Sequence, residues 1–251
     1  MINLSAIIIA CNEKNNIGRC LQSLNDVIDD IVVLIDSKTT DGTEDVVKSF
    51  PNVNYETVEW RGYGPTKNYA LTKTKYDWVL WIDADEELTP ELKEELINFK
   101  KSKPQHDAYY VKRRAFFLGK WMKHCGWYPG YVLRLFNKNK ARFDSKNVHE
   151  GLQVEGKKGY LKNDLNHYTD PDVKHYFEKF NNYTTLAAGE LHSKGKRAGM
   201  RDLLLRPPFL FLKMYILRLG FLDGLHGLIL SVFSSLYVFT KYVKLWEMDR
   251  K

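Results

Sequence analysis

The chain has 251 residues, enough for one catalytic domain with a substantial core and an appendage. A hydrophobic content of 44% beside 27% charged residues excludes a disordered chain. The net charge of +7 narrows the partners to nucleic acid, an anionic membrane surface or a phosphate-bearing substrate, without choosing among them. Three widely spaced cysteines, Cys11, Cys20 and Cys125, form neither a disulfide framework nor a metal-ligand pattern and fit reduced thiols. The first apolar run, Leu4 to Cys11, is short, lacks a basic flank and ends in Asn12-Glu13, so it does not read as a signal peptide and a cytoplasmic location is expected.

In chain order, Leu4 to Ala10 reads as a buried strand, and Asn15 or Asn16 can cap a helix bearing Ile17, Cys20, Leu21 and Leu24. Ile31 to Ile35 is a second buried strand, and Asp41-Gly42-Thr43 opens a helix with Val46, Val47 and Phe50. Val53 to Val58 alternates as a strand, Thr66 to Lys73 is expected to be helical, and Trp78 to Ile82 is a further buried strand. Thr89-Pro90-Glu91 has the hydroxyl, proline and acid of a helix start. Continuous apolar strands alternating with helices predict a mainly parallel sheet covered on both faces.

Residues 101–170 change character. Tyr109 to Val111 and Tyr131 to Phe136 look like strands, separated by an aromatic and glycine-rich loop, Phe116 to Gly130. Residues 171–251 look helical, with a break at Arg206-Pro207-Pro208. Leu225 to Phe239 has no Lys, Arg, Asp or Glu, but its fifteen residues fall short of the ~20 of a membrane span. Two readings of this region remain open, a buried helical hairpin and helices lying in the membrane interface. The second is preferred, with Arg197, Arg201, Arg206, Lys213 and Arg218 near anionic head groups.

Trp81-Ile82-Asp83-Ala84-Asp85-Glu86-Glu87 carries the strongest chemical pattern, an apolar strand running straight into carboxylates. In open parallel sheets ligands bind beyond the carboxyl ends of the strands. Asp83 and Asp85 stand at i and i+2, which an extended backbone turns to one side. Such a pair suits Mg²⁺ or Mn²⁺, which prefers oxygen ligands and couples carboxylates to substrate phosphates. Asp36 ends a second apolar strand, and Asn12 with Glu13 ends the first. Asp41 reads better as a turn or cap than as a ligand. Acidic strand ends argue against nucleic acid, whose cleft should be basic.

The segments Ile7 to Glu13, Asp36 to Thr43, Gly64-Pro65-Thr66-Lys67-Asn68-Tyr69-Ala70 and Asp83 to Glu86 together resemble the family 2 glycosyltransferases. Trp127-Tyr128-Pro129, Arg134-Leu135-Phe136, His149-Glu150-Gly151 and Leu222-Asp223-Gly224 with Gly227 are similar to the subgroup that adds β-linked glucose to the lipopolysaccharide inner core. The resemblance implies an α/β fold of the GT-A type, Rossmann-like, with a mostly parallel sheet between helices and a helical C-terminal extension. It implies a catalytic domain over residues 1–170, comprising a nucleotide-sugar half (1–100) and an acceptor half (101–170), then a membrane-associating region (171–251).

The resemblance further implies that Ala10, Asn12, Glu13 and Asp36 line a nucleotide pocket. Lys67 would neutralise a diphosphate where relatives often carry Arg, without the guanidinium fork. Asp83 would meet ribose or metal, Asp85 the metal, and Arg134 a phosphate. Glu150 is the candidate base, with Asp144 as the alternative. The implied partners are a UDP-sugar, a lipid-linked saccharide acceptor and an anionic membrane surface. A polyprenyl phosphate or capsule precursor is the alternative acceptor, and a basic membrane-binding protein without activity is the remaining rival.

Overall fold

The computed structural model describes residues 1–144 and 151–250. The chain divides into two compact units, Met1–Arg113 with Tyr131–His167, and Arg114–Gly130 with Tyr168–Lys251.

The first unit begins β1 (Leu4–Ala10), α1 (Ile17–Leu24), β2 (Asp30–Asp36), α2 (Thr43–Lys48), β3 (Val53–Val58), α3 (Tyr63–Lys73) and β4 (Trp78–Trp81). It continues with β5 (Glu86–Leu88) and α4 (Pro90–Lys101). Then come β6 (Ala108–Phe117), β8 (Gly130–Asn137), β9 (Ala141–Phe143), β10 (Leu152–Val154) and β11 (Lys158–Asp170), while the two-residue β7 (Lys120–Trp121), between β6 and β8 in sequence, belongs to the second unit.

The main sheet runs β3-β2-β1-β4-β8-β6-β11-β5. Its first four strands pair in parallel, with Ile7 opposite both Val32 and Trp81. The pairings β4 with β8 and β5 with β11 are antiparallel. The predicted parallel sheet is thus the first half, and the later strands extend it by antiparallel pairing.

Period-two alternation splits β1 between two cores. Leu4, Ala6, Ile8 and Ala10 pack with Ile17, Cys20, Leu21 and Leu24 of α1, Val47 of α2 and Leu92, Leu96 and Phe99 of α4. Ile7 faces the other way, with Val32, Leu34, Phe136 and Phe143 and with Ala70 and Leu71 of α3. A strand covered on both faces has no polar side to offer, which is why its sequence reads as an unbroken apolar run.

Local chemistry sets the helix starts. Thr89 Oγ1 accepts from Leu92 N at 3.2 Å, with Pro90 in the first turn. Asp41 is a turn residue, its carboxylate accepting from the backbone of Thr43 and Lys14. Asn16 occupies the cap position of α1 but makes no capping bond, because its Oδ1 accepts from Arg19 Nη2 at 2.9 Å instead. Helix α3 starts at Tyr63, earlier than the expected Thr66, since a proline within the first turn removes no helical hydrogen bond.

In the second unit β7 folds back on the end of β6, and the helices α5 (Val173–Ser193), α6 (Met200–Leu204), α7 (Arg206–Leu212) and α8 (Gly224–Met248) follow. Helix α8 packs on α5 and α7. The apolar helical stretch is longer than its charge-free sequence suggested. It spans Gly220–Met248, 29 residues with mean hydropathy 1.5, so length and composition alone would allow a membrane crossing. Only 22% of its most apolar window is buried, which does not fit a helix hidden in a core. Leu225, Leu228, Val232, Leu236 and Phe239 recur at helical spacing along an exposed stripe.

Candidate active site

The carboxyl ends of β1, β2 and β4 carry the polar residues singled out in the sequence. Ala10 is buried at the end of β1, and Asn12 beyond it takes a left-handed φ of 55°. Asn12 Oδ1 accepts from Thr40 N at 2.9 Å, and Thr43 Oγ1 accepts from Glu13 N at 2.8 Å, so the first two strand ends are tied together. Asp36 is buried and accepts from Lys38 N at 2.9 Å. Desolvation first, then the nearby Asp36 carboxylate, push the Cys11 thiol above its ordinary value, which places Asp36 beside the end of β1.

A second cluster surrounds the end of β4. Arg134, on β8 and buried, donates to the carboxylates of both Asp83 and Glu86, the latter at 2.6 Å. Glu86 also accepts from Asp83 N at 3.1 Å and lies 3.7 Å from Arg113. Glu86 is fully buried, whereas the Asp83 side chain is 41% exposed. Burial, reinforced by Asp83, raises the Glu86 carboxyl despite Arg134. At Asp83 desolvation acts the same way, but Arg134 and Lys67 outweigh it and hold the carboxyl below its usual value.

Trp81 is the floor of this cluster. Lys67 Nζ lies 3.7 Å and the Arg134 guanidinium 4.3 Å from its ring centroid, and Phe143 meets its ring edge to face at 4.9 Å. Two cations on one indole bring positive charge next to Asp83. Arg134, expected at a substrate phosphate, instead has its guanidinium on two carboxylates.

Asp85 pairs with His167, Nε2 to Oδ2 at 3.3 Å. The antiparallel register of β5 with β11, which sets His167 opposite Glu86, brings that histidine in. His167 Nδ1 is buried without a hydrogen-bond partner among the described residues. No group of three carboxylate, imidazole or thiol ligands converges among the described residues. Asp85 and His167 nonetheless offer one oxygen and one nitrogen, and a cation that completes its shell with substrate phosphates and water needs few protein ligands. Sequence reasoning missed His167 and Glu86. An acidic run gives no sign of which member will be buried, and nothing around His167 distinguishes it from a surface histidine.

Asp144 follows β9, and its amide donates to Gly151 O at 3.1 Å. It lines a cavity of about 540 Å³ with Asn68, Arg142 and Gln153, next to the Phe143 that touches Trp81. Glu150 and His149 lie outside the described residues.

The sequence model described as glycosyl transferase family 2 matches residues 5–169. A lipopolysaccharide core biosynthesis glycosyltransferase, LpsC of Rhizobium meliloti, is 32% identical over 97% of this chain and 92% of its own length. An uncharacterized glycosyltransferase of Rickettsia typhi is 28% identical over 100% of this chain and 89% of its own. Among solved structures, the mannosyltransferase PcManGT of Pyrobaculum calidifontis, in complex with GDP-Man and Mn²⁺, aligns with a TM-score of 0.57 at 16% identity, covering 99% of this chain and 88% of that one. Residues 1–349 of TarS from S. aureus, in complex with UDP, align with a TM-score of 0.50 at 16% identity, covering 99% and 91%. At these identities the structural likeness bears on the fold alone, and it is the GT-A fold.

Proposed function

Because the chain belongs to glycosyl transferase family 2 and is a sugar transferase, we propose that it is an inverting, metal-dependent enzyme moving glucose from UDP-glucose to a hydroxyl of a lipid-linked acceptor, the heptose of the lipopolysaccharide inner core. The observation that carries this reading is the end of β4, where Asp83 is held by Arg134 and Asp85 stands against His167. The relation to LpsC supports the acceptor class.

Asn12, Glu13 and Asp36 take the nucleoside at the ends of β1 and β2, with the buried Ala10 behind them. Arg134 fixes the Asp83 rotamer and leaves its exposed oxygen to the ribose or the cation. Lys67 sets positive charge beside the diphosphate. Asp85 and His167 are the groups that would hold Mg²⁺ or Mn²⁺, which would supply charge to the departing diphosphate. The acceptor hydroxyl loses its proton to Glu150, or to Asp144 as the alternative, and its oxygen attacks the anomeric carbon as the bond to the diphosphate breaks. Configuration inverts because attack and departure are in line. The catalytic domain would work on the inner face of the cytoplasmic membrane, held there peripherally by the C-terminal helices.

The two structural relatives are bound to different nucleotides, GDP-Man in one and UDP in the other. Donor choice is therefore tested directly, by calorimetry with UDP and GDP and by product analysis with UDP-glucose and truncated core acceptors. Preferential binding of GDP, or transfer only to a polyprenyl phosphate, would overturn the assignment.

A further inference from the structure

The second unit holds a cavity of about 320 Å³, within the range of small-ligand sites. Trp127, Tyr176, Leu210 and Tyr237 give it an apolar and aromatic wall, while Lys213 and Arg218 bring two cations to it and no acidic residue lines it. Lys213 and Arg218 have no carboxylate at ion-pair distance among the described residues. Ser234 adds a hydroxyl that is likewise unengaged among them.

Arg218 is seated rather than loose. Gly126 has a φ of +79°, and a Cβ there would stand 2.0 Å from Arg218 Nη1. The glycine thus supplies both the backbone turn and the space for the guanidinium. Arg218 O accepts from Cys125 N at 3.0 Å. The buried Asp223 accepts from His124 N at 2.8 Å and takes Lys120 on its carbonyl at 2.7 Å, fixing the loop that carries Trp127. The motifs around Trp127 and Leu222-Asp223-Gly224 are therefore tied together, with Trp127 on the cavity wall.

The segment between the two cations opens on apolar surface. Ile216 and Leu217 are 48% and 71% exposed, with Leu212 beside Lys213 at 53%. From Lys196 to Leu219 six cations face a single acid, Asp202. A phosphomonoester carries about −1.5 to −2 charges at neutral pH, which two unpaired cations match. An aromatic wall and an apolar rim add a place for the body attached to it.

We propose that this cavity binds a phosphomonoester-bearing amphiphile, with Lys213 and Arg218 on the phosphate and the aromatic wall against the attached apolar or sugar portion. Its assignment to the acceptor rests on the transfer reading above; the binding itself does not, and is measured without donor or turnover.

Calorimetry uses the full chain with dihexanoyl phosphatidic acid below its micelle concentration, against dihexanoyl phosphatidylcholine and inorganic phosphate. Phosphatidic acid should bind about tenfold or more tightly than either. Lys213→Gln with Arg218→Gln should abolish that preference, whereas Lys101→Gln with Lys103→Gln, exposed on the first unit, should keep it. If the double variant fails a near-ultraviolet dichroism check, Lys213→Gln alone, a partly exposed position, should still weaken phosphatidic acid about threefold or more. Equal binding of phosphatidic acid and phosphatidylcholine, equal binding of inorganic phosphate, or undiminished binding by folded Lys213 variants would each overturn the proposal.

Discussion

Arg134 donates to Glu86 across 2.6 Å inside the first unit, joining β8 to a carboxylate with no exposed surface. The same guanidinium reaches Asp83, so one buried cation neutralises two acids of which only Asp83 meets solvent. Removing it would leave Glu86 only the more distant Arg113, 3.7 Å away. A buried ion pair broken on one side costs about 3–5 kcal/mol.

Arg134→Met should accordingly be destabilised at neutral pH, with a deficit that shrinks on acidification. Glu86 titrates above its unfolded value, so what it contributes is present below roughly pH 4.3 and lost as pH rises through its folded value, more so without Arg134. Asp83 titrates below its unfolded value, so its contribution exists above roughly pH 3.9 and vanishes as pH falls. Both effects put the deficit on the neutral side. Urea unfolding at pH 7 and pH 4.5 checks it, and an equal deficit at both would refute the charge argument.

Asp85→Ala and His167→Ala should each retain the fold and lose the strengthening of UDP binding by Mn²⁺. Calorimetry with Mn²⁺ and with excess chelator reads this. A His167 variant that responds to Mn²⁺ like the unaltered protein would remove His167 from the cation site.

Glu150→Gln should reduce turnover by roughly 10²-fold or more while sparing UDP affinity. Asp144→Asn should do so only if the proton passes to Asp144 instead. Steady-state kinetics on both variants with one acceptor assigns the role.

Gly227→Ala should destabilise the second unit, because a Cβ there would lie 1.8 Å from the carbonyl oxygen of Gly220. Overpacking of this kind costs roughly 1–3 kcal/mol or more. Thermal melts of the variant provide the measurement, and an unchanged midpoint would show that the Gly220 backbone moves freely.

The full chain should sediment with anionic liposomes, less at high salt and less after substitution of Arg197, Arg201 and Arg206. The exposed stripe Leu225, Leu228, Val232, Leu236 and Phe239 supplies the apolar part. Indifference to liposomes would defeat the interfacial reading, and retention in the membrane through alkaline extraction would replace it with a span.

The sequence alone determined the strands that end in Asn12, Asp36 and Asp83, because burial on both faces leaves an apolar run and polarity returns only where the strand leaves the sheet. It also determined the Thr89 cap and the Asp41 turn, whose bonds reach only a few residues along the chain, apart from the tie to Lys14. The partners of those strand ends were decided by tertiary structure. Arg134 lies 48 residues from Glu86, and His167 reaches Asp85 through a register between β5 and β11 that no local pattern encodes. The length of α8 was decided in the same way. Lys241 ends the charge-free run, yet the helix continues past it, and three residues on Lys244 donates to Asn181 O and Thr184 Oγ1 of α5 at 2.8 and 2.9 Å. A charge that finds acceptors on a neighbouring helix no longer needs water, and whether it finds them depends on packing between segments distant in sequence.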